Sequence, residues 1–321
     1  MATLRTLIVG CGNIAGRFDA GRAGDWPRTH AGAYASDGRF ELAACVEPND
    51  ARRAEFMRDW NVAAGFCSMN EAARSKGGFD VISICSPTAS HAQDLRAALG
   101  LQAKLIFCEK PASGSASETA RLVQACKKAG VDLAINYTRR WDPEVANLKR
   151  GLEEGRWGAL RSVVGYYNKG LVNNGSHMLD LLQLLLGPLR VLHVGRPVED
   201  YCAEDPTLPA WLETADRIPV QLACAHAADF AFFELQLVLA RAVITMEEGG
   251  LFWRERPVAD SAEFAGFRVP AEGTRRPGGY AQAMRRSIDN IFGAVRRREP
   301  LASTGETALA AQRLCEEIRQ P

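Results

Sequence analysis

A charged pair follows directly on an apolar run in the stretch LIFCEKPAS, residues 105–113. Glu109 and Lys110 come after four apolar residues, and Pro111 restricts the backbone that follows them. A charge that leaves water costs several kcal/mol unless it is paired or has a task. An ammonium group at such a place could stabilise negative charge that develops on an oxygen during a reaction. Lys110 is therefore a candidate for a functional role, against the alternative of a surface lysine at the end of a strand.

A second group of polar residues lies in the segment KGLVNNGSHMLDLL, residues 169–182. If this segment is helical, Asn173, His177 and Asp180 share one face, because they are four and three residues apart. An imidazole with the ordinary pKa of about 6.5 suits proton exchange with a hydroxyl group at neutral pH. His177 is therefore a candidate acid/base, and the alternative is a histidine satisfied within the core.

A glycine-rich turn opens the chain in LIVGCGNIAG, residues 7–16. Gly10 and Gly12 follow an apolar run, and Ala15 comes three residues later, at the start of a predicted helix. Glycines at this place allow a tight turn and close approach of the backbone to a pyrophosphate group. Glu47 ends the next apolar run, where a carboxylate would accept both ribose hydroxyls of an adenosine and repel a 2′-phosphate. The pattern favours NAD over NADP.

An inserted loop accounts for the distance between the glycine turn and Glu47. Glu47 follows Gly12 by 35 residues, whereas about 20 is usual in this motif. The excess fits the stretch FDAGRAGDWPRTH, residues 18–30. This loop contains Arg22, Trp26 and Arg28. These residues either cap the cofactor or substrate, or belong to an ordinary solvated loop.

The elements that must position these residues divide into two patterns. Over the first 135 residues, short apolar runs alternate with helical segments, which predicts a parallel sheet covered on both faces. Later, Phe233, Leu235 and Leu237 alternate with polar residues, which indicates antiparallel strands. The predicted class is α/β. Residues 1–135 form a Rossmann-type, doubly wound, NAD(P)-binding domain, and residues 136–321 form an α+β domain with a large, mostly antiparallel open sheet that binds substrate and oligomerises.

Composition excludes several classes of protein. The net charge of +1 gives no field for nucleic acid. The N-terminal stretch lacks the apolar region of a signal peptide, and no run of about 18 apolar residues predicts a membrane span, so we expect a cytoplasmic protein. The nine cysteines are scattered singly, which indicates reduced thiols, and no metal site is predicted. An uncovered apolar face of the open sheet predicts a homodimer or homotetramer.

Seven segments resemble the Gfo/Idh/MocA oxidoreductases, the family of glucose-fructose oxidoreductase, inositol dehydrogenase and the rhizopine-catabolism proteins. They occur in the family's order and cover nearly the whole chain, thinning between about residues 194 and 219: GCGNIAG, ICSPTASHA, CEKPAS, NYTRRWDP, GRWGALRSV, NNGSHMLDLLQLLLG and EPLASTGETALAAQRL. The resemblance implies an NAD-dependent oxidoreductase that acts on a secondary alcohol or ketone of a polyhydroxylated small molecule, such as a sugar, nucleotide sugar or cyclitol.

The resemblance also implies roles for individual residues. The lysine of the Glu-Lys-Pro turn, here Lys110, stands beside the nicotinamide and the substrate, and the histidine, here His177, moves the hydroxyl proton. Family members carry an aspartate four residues before that histidine, where this chain has Asn173. An amide orients an imidazole but does not stabilise an imidazolium as a carboxylate does. Three explanations stay open: Asp180 replaces the aspartate, Lys169 or Tyr167 shares the proton transfer, or the physiological direction is reduction.

The predicted site residues fall into three groups. The catalytic residues are Lys110, His177 and Asn173. The residues expected at the cofactor are Gly10, Gly12, Asn13, Ile14, Ala15, Glu47, Ser86, Thr88, His91, Glu109, Lys110 and Asn136, and for His91 a structural role at the start of a helix has equal weight. The residues expected at the substrate are Lys110, Tyr167, Lys169, Asn173 and His177. Two other functions are considered: a redox-neutral enzyme that uses bound NAD to cleave a glycosidic bond, and a non-catalytic regulator that responds to NAD.

Overall fold

The chain forms two compact units in a computed structural model that describes residues 3–21, 26–75 and 77–320. The first unit comprises Met1–Trp141 and Ala281–Leu309, and the second comprises Asp142–Tyr280 and Ala310–Pro321. The division predicted from sequence, at residue 135, assigns Ala281–Leu309 to the second domain, whereas the structure includes these residues in the first unit. No helix in the described ranges combines the length and apolarity needed to cross a bilayer.

A six-stranded parallel sheet forms the centre of the first unit. Its strands are β1 (Leu4–Val9), β2 (Phe40–Val46), β3 (Ala64–Phe66), β4 (Val81–Ile84), β5 (Leu105–Cys108) and β6 (Asp132–Ile135). The connecting helices are α1 (His30–Ala35), α2 (Asp50–Asp59), α3 (Met69–Ala72), α4 (Thr88–Leu99) and α5 (Ala116–Ala129). The spatial order β3-β2-β1-β4-β5-β6 reverses between β1 and β4. A reversal of this kind opens a crevice at the carboxyl ends of the strands, where ligands bind in open α/β sheets.

A larger mixed sheet dominates the second unit. It follows α6 (Pro143–Glu153) and is interrupted by α7 (Ser176–Leu186). The strands are β7 (Leu160–Tyr167), β8 (Leu189–Val194), β9 (Val198–Cys202), β10 (Asp205–Thr207), β11 (Ala210–Thr214), β12 (Pro219–Cys224), β13 (Phe233–Leu239), β14 (Ala242–Glu247), β15 (Phe252–Asp260), β16 (Arg268–Pro270) and β17 (Thr274–Pro277). The order is β16-β15-β14-β13-β7-β12-β11-β8, with β17 paired to β15, while β9 and β10 form a hairpin of their own. Only β7 and β12 pair in parallel in this sheet, within the described residues.

The core of the second unit lies on one face of this sheet. Phe233, Leu235, Leu237 and Leu239 of β13 are buried, and the residues between them are half-buried. They belong to one apolar cluster with Met178, Leu179, Leu181 and Leu182 of α7. The observed sheets confirm the predicted fold class, a doubly wound parallel sheet followed by a mostly antiparallel one.

Two C-terminal helices, α8 (Ala283–Arg297) and α9 (Gly305–Arg319), complete the chain. The α8 helix packs in the first unit, where the Phe292 ring lies 6.1 Å from Phe40 and Asn290 accepts a hydrogen bond from Trp141. Its buried apolar face thus covers elements that come far earlier in the sequence. This packing is the physical reason why the first unit includes a C-terminal segment.

Candidate active site

Five predicted cofactor residues lie at the carboxyl edge of the parallel sheet. Each comes directly after a strand or one residue beyond it, and they are Gly10, Glu47, Ser86, Glu109 and Asn136. Because parallel strands point the same way, residues that are distant in sequence meet at one edge. The sheet therefore brings these five positions together.

The glycine turn allows the ends of β1 and β4 to approach each other. Gly10 has φ +84°, and a Cβ there would lie 2.6 Å from the backbone N and Cα of Ser86. A Cβ on Gly12 would meet no atom within 4 Å, so the backbone is open on that side. Asn13–Arg17 then form a single turn with π-type hydrogen bonds, in which Ala15 is buried and Asn13 is exposed. Close packing on one side and open backbone on the other fit a bound pyrophosphate.

Glu47 is anchored beneath this turn. Its side chain is only 7% exposed, and its two oxygens accept hydrogen bonds from the backbone N–H groups of Cys11 and Asn49, both at 3.0 Å. The Arg52 guanidinium lies 3.6 Å from the same carboxylate. A carboxylate held in this way at the end of β2 is the group that recognises an adenosine ribose in dinucleotide-binding folds. The residues present therefore fit a nicotinamide dinucleotide cofactor.

A polar cluster holds Glu109 at the end of β5. His30 Nε2 lies 3.0 Å and Asn136 Nδ2 lies 2.6 Å from Glu109 Oε1. The His30 ring is fully buried and packs on Phe107, with ring centroids 4.6 Å apart. His30 is absent from the residues predicted above, because a histidine at the end of an insertion has no sequence signal for a partner 79 residues away.

The charge of Glu109 is stabilised by its neighbours. Burial alone would raise the pKa of this carboxyl group. The hydrogen bond and the charge of His30, with smaller contributions from Asn136 and Lys110, outweigh burial and hold the Glu109 pKa below its usual value. Glu109 is therefore an anion at neutral pH, directly before the ammonium of Lys110.

We expect the substitution Glu109→Gln to make stability less dependent on pH in the acid range. A depressed folded-state pKa contributes stability above the unfolded pKa, and this contribution is lost as the pH falls through the folded pKa. At pH 7 the variant should be less stable by about 1–3 kcal/mol. The difference from the wild type should shrink below the ordinary glutamate pKa of about 4.3. Urea unfolding at a series of pH values measures it, and a difference that stays constant from neutral to acid pH would contradict the role of the Glu109 charge.

His91 ties the Lys110–Pro111 turn to the end of β4. Its ring is buried, with Nδ1 2.7 Å from the carbonyl oxygen of Pro111 and Nε2 2.7 Å from that of Ser86. The Lys110–Pro111 peptide bond is cis. Of the two roles considered for His91, the contacts support the structural one, since both ring nitrogens face protein carbonyl groups.

Two further predicted residues belong to the same region. Ser86 donates a hydrogen bond to Asp94 Oδ2 at 2.5 Å, and burial raises the pKa of that carboxyl group. Thr88, the first residue of α4, is exposed. The Ser86 hydroxyl is thus already used within the protein, whereas the Thr88 side chain faces solvent at the edge where the strands end.

The predicted capping loop is fixed by one aspartate where it is described. Asp19 Oδ2 accepts hydrogen bonds from the N–H groups of Arg28 and Thr29 and from the Thr29 hydroxyl. Trp26 is 44% exposed and Arg28 is exposed, while Arg22 lies outside the described residues. Thr29 also caps α1 by accepting from Gly32 N, and this cap places His30 at the first helical position.

The second group of predicted residues lies in the second unit, before and within α7. Leu171–Gly175 form a turn with π-type hydrogen bonds that leads into the helix, and His177 is half-buried in its first turn. Asn173 Nδ2 donates to the carbonyl oxygen of Lys169 at 2.9 Å. Asn174 Nδ2 donates to the carbonyl oxygen of Asn168, also at 2.9 Å. The predicted helix therefore begins as a turn closed by two asparagine side chains.

Tyr167 belongs to the core rather than to a substrate site. Its side chain is fully buried, and its hydroxyl donates to Leu208 O at 2.7 Å and accepts from Leu208 N at 2.9 Å. Burial raises the pKa of this phenol well above its usual value. Both hydrogen-bonding directions of the hydroxyl are occupied, which removes Tyr167 from the residues proposed to share proton transfer. Asp180 is also buried, on α7.

Comparison with known proteins shows which family and which structures this chain is similar to. Residues 4–137 match a family described as an oxidoreductase family with an NAD-binding Rossmann fold, Gfo/Idh/MocA. The inositol 2-dehydrogenase of Rhizobium meliloti (strain 1021) is 23% identical over 323 residues, which cover 94% of each chain. The uncharacterized oxidoreductase YrbE of Bacillus subtilis (strain 168) is 46% identical over 79 residues. That alignment spans 25% of this chain and 23% of YrbE.

A solved structure extends the likeness to both units. It is a variant of KijD10, a 3-ketoreductase from Actinomadura kijaniata, in complex with TDP-benzene and NADP. The TM-score is 0.79 at 17% identity, over 99% of this chain and 97% of that chain. At this identity the likeness shows the fold.

Proposed function

We propose that the chain belongs to the Gfo/Idh/MocA oxidoreductase family, which residues 4–137 match, and that it is an NAD-dependent dehydrogenase. Its substrate is a secondary alcohol, or the corresponding ketone, of a sugar, nucleotide sugar or cyclitol. Two similar proteins support this class of substrate, because one is named an inositol 2-dehydrogenase and the other a 3-ketoreductase that binds TDP-benzene.

The anchored turn at the end of β5 is the observation that carries the proposal. His30 and Asn136 fix the carboxylate before Lys110, and His91 fixes the carbonyl group of the proline after it. A lysine has four rotatable side-chain bonds, so an ammonium group acts reliably only when its backbone is immobile. Three contacts from buried side chains to the flanking residues meet that requirement, at the edge where ligands of such sheets bind.

The reaction divides between the cofactor and the residues of this chain. Bound NAD supplies the nicotinamide ring that accepts or donates a hydride. Lys110 stabilises the developing negative charge on the substrate oxygen, and Glu109 balances the ammonium charge. His177 takes the hydroxyl proton during oxidation and returns it during reduction. Asn173 shapes the turn that precedes His177, through its hydrogen bond to Lys169.

NAD rather than NADP is part of the proposal, although the similar 3-ketoreductase structure contains NADP. The Glu47 carboxylate is held by two backbone N–H groups, so it cannot easily turn away from an added phosphate. Like charges in a desolvated site repel each other strongly. Arg52, whose guanidinium lies 3.6 Å from the Glu47 carboxylate, is a charge that opposes this repulsion.

A spectrophotometric assay at about 340 nm, the absorbance of the reduced nicotinamide, tests the proposal. NAD⁺ and NADP⁺ are each offered with myo-inositol, scyllo-inositol, aldoses and nucleotide sugars. We expect reduced cofactor with at least one member of this panel and a kcat/KM at least about tenfold higher for NAD⁺. Arg52→Ala should leave that preference unchanged or increase it, because the carboxylate sets it.

Two results would contradict the proposal. A preference for NADP⁺ that disappears in Arg52→Ala would show that Arg52, rather than Glu47, determines which cofactor is preferred. If calorimetry shows tight binding of NAD⁺ but no panel compound leads to formation of NADH, a redox-neutral reaction or an NAD-responsive regulator would be favoured.

A further inference from the structure

The segment before α7 has an unusual backbone that needs external support. Lys169 has φ +65° and Gly170 has φ +83°, so two successive residues occupy the region that favours glycine. A lysine there is uncommon and carries a conformational cost. A Cβ on Gly170 would lie 2.3 Å from Asp205 Oδ2, so the hairpin formed by β9 and β10 reaches this backbone closely.

Side chains of the β9–β10 hairpin hold the first two residues of the segment. Asp200 Oδ2 accepts a hydrogen bond from Lys169 N at 2.8 Å, and Thr207 Oγ1 accepts one from Gly170 N at 2.8 Å. Thr207 is buried and donates its hydroxyl to Asp200 Oδ1 at 2.7 Å. The two acceptors are thus fixed relative to each other as well as to the segment.

Asp205 binds two N–H groups further along the segment, those of Val172 and Asn173. Its Oδ1 accepts from Val172 N and its Oδ2 accepts from Asn173 N, each at 2.8 Å. The Leu171–Gly175 turn runs directly into α7, so Val172 and Asn173 lie in the first turn of one helical segment. N–H groups in such a turn have no partner within the helix, and a carboxylate there is favoured by the helix dipole. Asp205 acts as a bidentate cap, although it lies 32 residues beyond Asn173 in sequence.

This arrangement explains why position 173 carries an amide. Asn173 Nδ2 donates to the carbonyl oxygen of Lys169, which a carboxylate cannot do. An aspartate at position 173 would face that carbonyl oxygen and would add a second anion beside Asp205. The negative charge at the start of this helix therefore comes from the hairpin, and the residue at position 173 supplies a donor.

The cap fixes the backbone one helical turn before His177. Ser176 Oγ donates to Val172 O at 2.7 Å, so the capped residues connect directly to the first residue of α7. We propose that Asp205 is a positioning residue for the reaction: by binding Val172 and Asn173 it sets the place of the His177 imidazole. This role in catalysis rests on the dehydrogenase function proposed above, whereas the positioning itself does not depend on turnover.

The substitution Asp205→Asn tests the positioning without a substrate. It keeps the size of the side chain but leaves one backbone N–H facing an amide nitrogen. We expect hydrogen exchange at Val172 and Asn173, followed by mass spectrometry, to accelerate at least about tenfold. The rate at which diethyl pyrocarbonate acylates His177 should change as well. Glu199→Gln, which removes an exposed carboxylate from the same hairpin, is the matched control and should change neither rate.

Kinetics then test the role in the reaction, with NAD⁺ and the panel alcohol that the wild type oxidises. Asp205→Asn should lower kcat about tenfold or more, with the KM for NAD⁺ changed less than twofold. A purely structural role would reduce only the folded fraction and leave kcat per folded molecule unchanged. Asn173→Asp should also lower kcat; a gain of activity would overturn the explanation of the amide.

The two proposals fail in different ways. A wild type that oxidises no panel alcohol contradicts the dehydrogenase function, while exchange and acylation still decide whether Asp205 positions His177. Unchanged exchange and acylation in Asp205→Asn overturn the positioning, whatever the wild type oxidises.

Discussion

Replacing Lys110 by alanine should lower kcat about 10³-fold while NAD still binds. The ammonium group is the donor proposed to stabilise the substrate oxygen, and alanine leaves that charge without a partner. The backbone of the turn should persist, because Glu109 is held by His30 and Asn136 and the Pro111 carbonyl by His91. Steady-state assays measure kcat, and calorimetry measures the affinity for NAD.

A lysine at the other end of the same strand provides the control. Lys104 precedes β5, is 55% exposed and pairs with Asp80 at 2.7 Å. Lys104→Ala removes the same atoms from the edge of the sheet opposite to the site, so kcat should stay within about twofold. Retention of more than a tenth of the wild-type kcat in Lys110→Ala would remove this residue from the catalytic set.

Replacing Gly10 by alanine should destabilise the first unit by about 3 kcal/mol or more. The new methyl group would lie 2.6 Å from the backbone of Ser86, and φ of +84° is strained for any residue with a side chain. Neither the Ser86 backbone nor the end of β1 can move without disturbing the central strands of the sheet. The free energy of unfolding in urea measures this effect.

A substitution at Gly12 tests cofactor binding with little effect on stability. A methyl group at Gly12 would meet no atom within 4 Å, so Gly12→Ala should change the free energy of unfolding by about 1 kcal/mol or less. The same methyl group would occupy the open side of the turn, and we expect the affinity for NAD to fall about tenfold or more. If the two variants were equally stable, the close approach of β1 and β4 would not be the reason for glycine at position 10.

The sequence predicts which residues lie at the carboxyl edge of the parallel sheet, because their positions are fixed by local chain direction. Glu47, Glu109 and Asn136 each follow an apolar run, and in a parallel sheet every such run ends at the same edge. Their neighbourhood follows from strand direction alone. The alternation in β13 likewise identifies its buried face, because side chains on a strand point to opposite sides in turn.

Contacts between distant segments do not follow from local chain direction. His30 meets Glu109 across 79 residues, and Asp205 meets Asn173 across 32. Neither pair has a periodic signal, since each depends on how whole elements pack. For the same reason, the apolar face of α8 indicates burial but does not identify the first unit as its partner. Tyr167 is predicted at the substrate because it is a polar residue close to His177 in sequence. In the structure its hydroxyl is bound by the backbone of Leu208.

The turn before α7 also bears on the deamidation of one asparagine, Asn174. Asn174 is followed by Gly175, the pair most prone to deamidation, in which the glycine nitrogen attacks the asparagine side chain to form a succinimide. Here Gly175 N donates to Gly170 O at 3.0 Å, and Asn174 Nδ2 donates to Asn168 O at 2.9 Å. Both reacting groups are held in other hydrogen bonds, so we expect Asn174 to deamidate more slowly in the folded turn than in the unfolded chain.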